Sequence, residues 1–219
     1  IRVRFAPSPT GFLHIGGLRT ALYNYLYAKQ NNGKLILRIE DTDQNRLVQG
    51  AVDNLINTLT WTGIDFDEGP HKGGNFGPYT QSERLSIYND HVLQLINNGY
   101  AYACFYSQDR LDTIKLKNIP SDIVAEYDSR YRDLNTDEII DRMNAENHII
   151  RLKIPSDGML IINDQIRGDI NFDLKLIQDQ IIVKSDGYPT YHLASVIDDH
   201  HMNISHVIRG EEWIPSLPK

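Results

Sequence analysis

The first six residues set apolar Ile1, Val3 and Phe5 against basic Arg2 and Arg4, the period of a β-strand, and the Pro-rich segment that follows stops it. A helix is predicted from Gly16 to about Asn31, because Leu18, Ala21, Leu22, Tyr25, Leu26 and Lys29 recur at helical spacing. Gly33 is placed to close it in a left-handed conformation. Residues 35–39 form a short, nearly unbroken apolar run, the signature of a strand covered on both faces. Strand, helix and strand in about 40 residues match one right-handed βαβ crossover and the start of a doubly wound sheet.

Two more helices are predicted, over 51–62 and 82–98; Thr80 and Glu83 have capping-box spacing before the second, and Gly99 marks its end. A glycine-rich loop, 69–77, lies between them. Past Gly99 a polar, helix-like stretch runs to about Asn147, followed by short β-rich runs at 148–154, 159–162 and 180–184 that read as a second, α+β module. Parallel-type texture then returns, with 206–209 expected as a buried strand. The predicted fold is α/β, a Rossmann-like doubly wound parallel sheet interrupted by an inserted α+β domain. Residues 1–100 would form the first half of the sheet domain, 101–186 the insert and 187–219 the start of the second half.

Composition narrows the class. With 41% hydrophobic and 23% charged residues the 219-residue chain has the balance of a globular protein. No apolar run approaches the roughly 20 residues that cross a bilayer, so a cytoplasmic protein without a membrane partner is expected. The single cysteine, Cys104, can make neither an internal disulfide nor a multi-cysteine zinc site, so no zinc is expected. A net charge of -7 argues against bulk electrostatic binding of nucleic acid, although the acidic excess is concentrated. Residues 1–100 carry nine basic and nine acidic side chains, and residues 101–186 carry eleven and sixteen.

Ligands of open α/β sheets bind beyond the carboxyl ends of the strands. Three segments lie there: 6–17, 40–43 and 209–213. In the first, His14 precedes Gly16 and Gly17 at the entry to a helix, so an imidazole, bare backbone and the positive end of the helix dipole face one point, which suits a nucleotide phosphate. A turn carrying a surface histidine is the plainer reading of that motif alone. Neither a Walker loop nor a Gly-x-Gly-x-x-Gly fingerprint is present. Taken singly, Arg4 reads equally as an exposed strand residue and Glu40 as a helix-capping acid. The tract Asp198-Asp199-His200-His201 is rejected as a metal site because adjacent side chains point in different directions, and His192 and His206 are read as packing residues.

The combination is more specific. Pro-Ser-Pro-Thr-Gly followed by His14-Ile15-Gly16-Gly17, then Arg38-Ile39-Glu40-Asp41-Thr42-Asp43, resembles the signature pair of the glutamyl-tRNA synthetases, which are class I aminoacyl-tRNA synthetases. Gly77-Pro78-Tyr79-Thr80-Gln81-Ser82-Glu83-Arg84, the run from Ser185 through Ala194, and Val207-Ile208-Arg209-Gly210-Glu211-Glu212-Trp213 follow in the family's order.

The resemblance implies an ATP-dependent ligase that joins L-glutamate to tRNA(Glu) through a glutamyl-adenylate. It implies a glutamate pocket of Arg4, Ser8, Glu40, Tyr191 and Arg209, and catalytic positioning by His14, Gly16 and Gly17. His14, Gly16, Glu212 and Trp213 would take ATP, which brings Mg2+ as part of the substrate, and no metal ligand set is implied. A monomer is expected. Three features depart from the family pattern. The Lys-Met-Ser-Lys-Ser type (KMSKS) loop is absent, the chain stopping before its expected place; Ser195 stands where many relatives have asparagine; and Cys104 stands alone where some carry a zinc site. The alternatives are the paralogue that glutamylates a modified tRNA base, a glutaminyl-tRNA synthetase, a nucleotidyltransferase of the same superfamily and a non-catalytic tRNA-binding fragment. The Gly-Pro-Tyr-Thr-Gln-Ser-Glu-Arg stretch and the lack of zinc cysteines weigh against the first. Glu40-Asp41-Thr42-Asp43, in place of an Asp-Asp-Thr-Asn type segment, weighs against the second, and the glutamate-site residues weigh against the third.

Overall fold

The computed structural model of the chain describes residues 1–106, 113, 117 and 129–219. These divide into two compact units, one of residues 1–88 and 193–213, the other of 89–192 and 214–219.

In the first unit β1 (Arg2–Phe5) and β2 (Lys34–Leu37) pair in parallel, Arg2 opposite Lys34 and Phe5 opposite Leu37, joined by α1 (Ile15–Gln30). Parallel pairing needs such a crossover. Beyond β2 the chain keeps its partners: Arg38 and Glu40 amides donate to the Phe5 and Pro7 carbonyls, and Ile39 exchanges backbone bonds with Tyr79 and Gln81. Alternation then assigns two faces. Val3, Phe5, Leu35, Leu37 and Ile39 pack against Ala21 and Ala28 of α1 and Leu55 and Leu59 of α2 (Ala51–Trp61). Each fully buried aliphatic side chain there contributes roughly 1.5–3 kcal/mol. Ile36 points the other way, to Tyr79 and Met202, and Arg4, Arg38 and Glu40 share its face by the same alternation.

The helix face differs from the one predicted. Ala21, Asn24 and Ala28 are buried, whereas Leu22 and Leu26 are exposed. Small side chains bring α1 close to the sheet, and the buried Asn24 amide is held by the Thr20 and Ile208 carbonyls. The end of α1 also differs. Asn32, with φ 49°, is the left-handed residue. Gly33 serves close approach instead: a Cβ there would stand 2.5 Å from the Ile1 carbonyl oxygen, which accepts the Lys34 amide.

The expected strand at 206–209 does not form. Ser205 and His206 amides donate to the Arg2 carbonyl and no ladder continues, because Asn24 takes the Ile208 carbonyl and Val207 faces solvent. The predicted helix over 82–98 begins with a 3-10 turn, Gln81–Arg84, before α3 (Leu85–Asn97), and Thr80 makes no side-chain cap. Gly99 ends it at φ 73°, as expected.

In the second unit β3 (Ala101–Phe105), β4 (His148–Leu152), β5 (Met159–Asp164), β6 (Gly168–Asp173) and β7 (Ile181–Val183) form an antiparallel sheet in the order β3-β4-β7 and a β5-β6 hairpin. The Asp164 carboxylate closes the hairpin by accepting the Ile166 and Arg167 amides. β3 and β6 were not predicted, and β3 falls at the start of the stretch read as helix-like. Of that stretch, α4 (Thr136–Met143) is helical, capped by the Asn135 side chain, while most of residues 107–128 lies outside the described residues. Cys104 is buried in β3. The last helix, α5 (Tyr191–His201), contributes Leu193 onward to the first unit. No described helix is long and apolar enough to cross a membrane.

Candidate active site

Arg38 and Glu40 are two residues apart on an extended chain, so both side chains leave the same face. That face meets α5, and α5 brings Asp198 and Asp199. Arg38 is fully buried; it donates from Nη1 to Asp199 at 2.7 Å and from Nη2 to Glu40 at 3.1 Å. Its Nε lies 3.7 Å from Asp198 Oδ2 without a hydrogen bond. Arg4, which leaves β1 on the same side, donates from Nε to both Asp199 oxygens at 3.1 and 3.3 Å. Behind them, Asp198 accepts from Gln81 Nε2 at 2.8 Å, Arg84 Nε at 2.7 Å and Tyr88 Oη at 2.9 Å.

Three guanidinium groups and three carboxylates therefore balance one another in the low-dielectric interior, where a charge left unpaired costs several kcal/mol. Burial works against the charge of Arg38, but Glu40, Asp199 and Asp198 outweigh it and hold the guanidinium more firmly protonated than usual. For Glu40 burial dominates and moves the carboxyl above its ordinary range, opposed by Arg38 and Arg4. Burial and the neighbouring Asp198 likewise push the Tyr88 phenol upward.

At the other end of the loop, His14 caps α1. Its Nδ1 accepts the Gly16 amide at 3.1 Å, which leaves the exposed imidazole beside the helix N-terminus, and the first turn of α1 has no acidic residue. A Cβ on Gly16 would stand 2.9 Å from His14 Cε1, so a larger residue would displace the imidazole. Gly17 follows in the same turn. A pocket of 570 Å³ opens on the opposite face of the extended chain, lined by Ile39 and Asp41 with Pro9, Val48, Val52 and Tyr79 among others. The Asp41 carboxylate is already engaged there, by the Ser82 amide and hydroxyl.

Arg4 and Glu40 are thus neither an exposed strand residue nor a helix cap. Arg4 and Glu40 meet through Arg38 and Asp199, His14 meets Gly16, and the Arg209 guanidinium lies 5.8 Å over the Trp213 ring. Ser8 and Glu212 are exposed. Tyr191 begins α5 within the second unit, its ring edge-on to His192. His206 packs against Tyr27, and Asp198 and Asp199 of the rejected metal tract are engaged by arginines. Sequence reasoning missed Arg38, Gln81, Arg84, Asp198 and Asp199. The available signal was Arg38-x-Glu40 at the end of an apolar strand, which puts two opposite charges on one buried face.

The family model of the class I tRNA synthetases (E and Q), catalytic domain, matches residues 1–219. The chain belongs to this family. Among synthetases it is 52% identical over 226 residues to the glutamate-tRNA ligase of Chloroherpeton thalassium, covering 100% of this chain and 45% of that protein. It is 48% identical over 227 residues to the glutamate-tRNA ligase of Alkaliphilus metalliredigens, covering 100% of this chain and 46% of that protein. It resembles the crystal structure of a glutamate tRNA ligase from Elizabethkingia meningosepticum in complex with its amino acid, with a TM-score of 0.86 and 44% identity over 99% of this chain and 45% of that one. The chain spans about half the length of the curated relatives it matches. The α/β, Rossmann-like class expected from the sequence agrees with this synthetase family.

Proposed function

We propose that the chain carries the amino-acid and nucleotide site of a glutamate-tRNA ligase. The observation that carries the reading is the placement of Arg4 and Glu40, a cation from within β1 and an anion from just beyond β2, tied into one buried charge network. L-glutamate has two carboxylates and an ammonium, and Arg4 with Arg209 suits carboxylate, with a hydroxyl added by Tyr191, while Glu40 and Ser8 suit ammonium.

In this reading an α-carboxylate oxygen of L-glutamate attacks the α-phosphorus of ATP, the bond to the bridging oxygen of pyrophosphate breaks, and glutamyl-adenylate forms. The terminal ribose hydroxyl of tRNA(Glu) then attacks the glutamyl carbonyl, losing its proton as AMP leaves. Magnesium accompanies ATP as substrate. His14 donates a hydrogen bond to the phosphoryl oxygens, Gly16 and Gly17 admit the nucleotide to the helix N-terminus, and Glu212 and Trp213 line its far side. The residues need only position and stabilise charge, so no covalent enzyme intermediate arises.

The proposed architecture is a doubly wound sheet domain, begun by residues 1–100 and resumed at 187–219, with 101–186 inserted to meet the tRNA acceptor stem. The protein is read as a cytoplasmic monomer. Arg209→Ala tests the pocket: calorimetric titration should show L-glutamate weakened about tenfold or more and ATP by less than about twofold, as loss of one charged hydrogen bond would give. Equal loss of both would remove Arg209 from the amino-acid site.

A further inference from the structure

If Arg4 and Glu40 meet the amino acid, something must hold a flexible guanidinium and a carboxylate at a fixed separation. Arg38 cannot touch a ligand, because its side chain has no exposed surface. Asp198 is equally enclosed and is engaged from behind by Gln81, Arg84 and Tyr88. Asp199 differs: its side chain retains 20% exposure, at the border between the buried network and open space.

We propose that Asp199 is a positioning residue for the amino acid, one carboxylate that orients Arg4 directly and Glu40 through Arg38. The inference rests on the proposed reading of Arg4 and Glu40 as ligand contacts. Its geometry is specific. Both Asp199 oxygens engage Arg4 at Nε, 3.1 and 3.3 Å away. Among the described residues the hydrogen bonds of the Arg4 side chain all run from Nε to Asp199, so the edge formed by the two Nη groups is left for a carboxylate, the fork geometry that guanidinium recognises best. The same Asp199 Oδ1 accepts Arg38 Nη1 at 2.7 Å, and the other arm of that guanidinium reaches Glu40 at 3.1 Å. A planar guanidinium transmits orientation because its two arms are rigidly related. Asp199 lies 195 positions from Arg4 and 161 from Arg38, so α5 sets the geometry of side chains that leave two different strands.

A purely structural role for Asp199 would affect stability and both ligands alike. Titration calorimetry of the chain with L-glutamate and, separately, ATP distinguishes the two roles. Asp199→Asn should weaken L-glutamate about ten- to a hundredfold, the effect of losing hydrogen bonds to charged groups, with ATP changed less than about twofold. Because part of its effect runs through Arg4, the double variant with Arg4→Lys should bind L-glutamate better than the product of the two single losses predicts, the remaining loss being the part carried to Glu40 through Arg38. Losses that multiply independently, equal loss of both ligands, or an unchanged affinity in Asp199→Asn would overturn the proposal. Should Asp199→Asn not melt cooperatively, Asp199→Glu, which keeps the charge but moves it by one methylene, is read by the same criteria. A wild-type chain that fails to bind L-glutamate overturns the reading of the site and this inference with it. Wild-type binding that the variants leave intact overturns the inference alone.

Discussion

Arg84 donates from Nε to Asp198 Oδ1 at 2.7 Å across 114 positions of sequence, with both side chains excluded from water. This pair closes the rear of the charge network that Arg4 and Glu40 complete in front. Removing the carboxylate would strand Arg84 and leave Arg38 short of one counter-charge. Asp198→Ala is therefore expected to destabilise the fold by about 3–5 kcal/mol, the cost of an uncompensated buried charge. Urea unfolding followed by circular dichroism measures it, and a loss below about 1 kcal/mol would mean that the network relaxes at little cost.

Asn32 and Gly33, which follow the C-cap of α1, should respond in opposite directions. Gly33→Ala forces a Cβ against the Ile1 carbonyl that anchors β2 to β1, and should cost about 1–3 kcal/mol as an overpacking change. Asn32→Gly relieves a left-handed backbone and should stabilise by up to about 1 kcal/mol. If Gly33 were the left-handed cap suggested by its position, Asn32→Gly would be the harmful substitution. Thermal melts of the two variants decide between these assignments.

A pH dependence follows from Glu68. Hydrogen bonds from Arg2 at 2.7 and 3.2 Å, reinforced by the Tyr79 hydroxyl at 2.6 Å and opposed by burial, hold its carboxyl below the ordinary value of 4.5. A depressed folded-state pKa means stability that is present above the unfolded value and lost as pH falls through the folded one. Glu68→Gln should be less stable than the wild type by about 1–2 kcal/mol at neutral pH, with the gap closing below about pH 4.5. A gap that stays constant between pH 7 and pH 3 in urea titrations would show that the charge of Glu68 is immaterial.

The legible parts of the molecule were those set by local pattern. Alternation in residues 1–6, the apolar run before Arg38 and the His14-x-Gly-Gly entry placed β1, β2 and α1 almost to the residue. The motif at 77–84 was recognisable, but the reason for its Gln and Arg was not, because both are buried against Asp198 on a helix more than a hundred positions away. The adjacency of Asp198 and Asp199 was visible in the sequence. Which arginines they would meet depends on how α5 docks, which no local period encodes. The strand expected at 206–209 failed for a similar reason: its apolar residues look like a core strand, yet Val207 is exposed and the Ile208 carbonyl is taken by a helix side chain. The roles proposed for Ser8, Tyr191, Arg209, Glu212 and Trp213 come from the resemblance of their motifs to the family and not from any local period.

The reading of the site as one for glutamate and ATP is tested most directly by ATP-pyrophosphate exchange, run with the chain and with any longer protein that carries it, in the presence of tRNA(Glu). Exchange should depend on L-glutamate, L-glutamine should not replace it, and Arg4→Ala should abolish the dependence while leaving ATP binding intact. Exchange that is indifferent to L-glutamate, or that runs equally well with L-glutamine, would contradict the account.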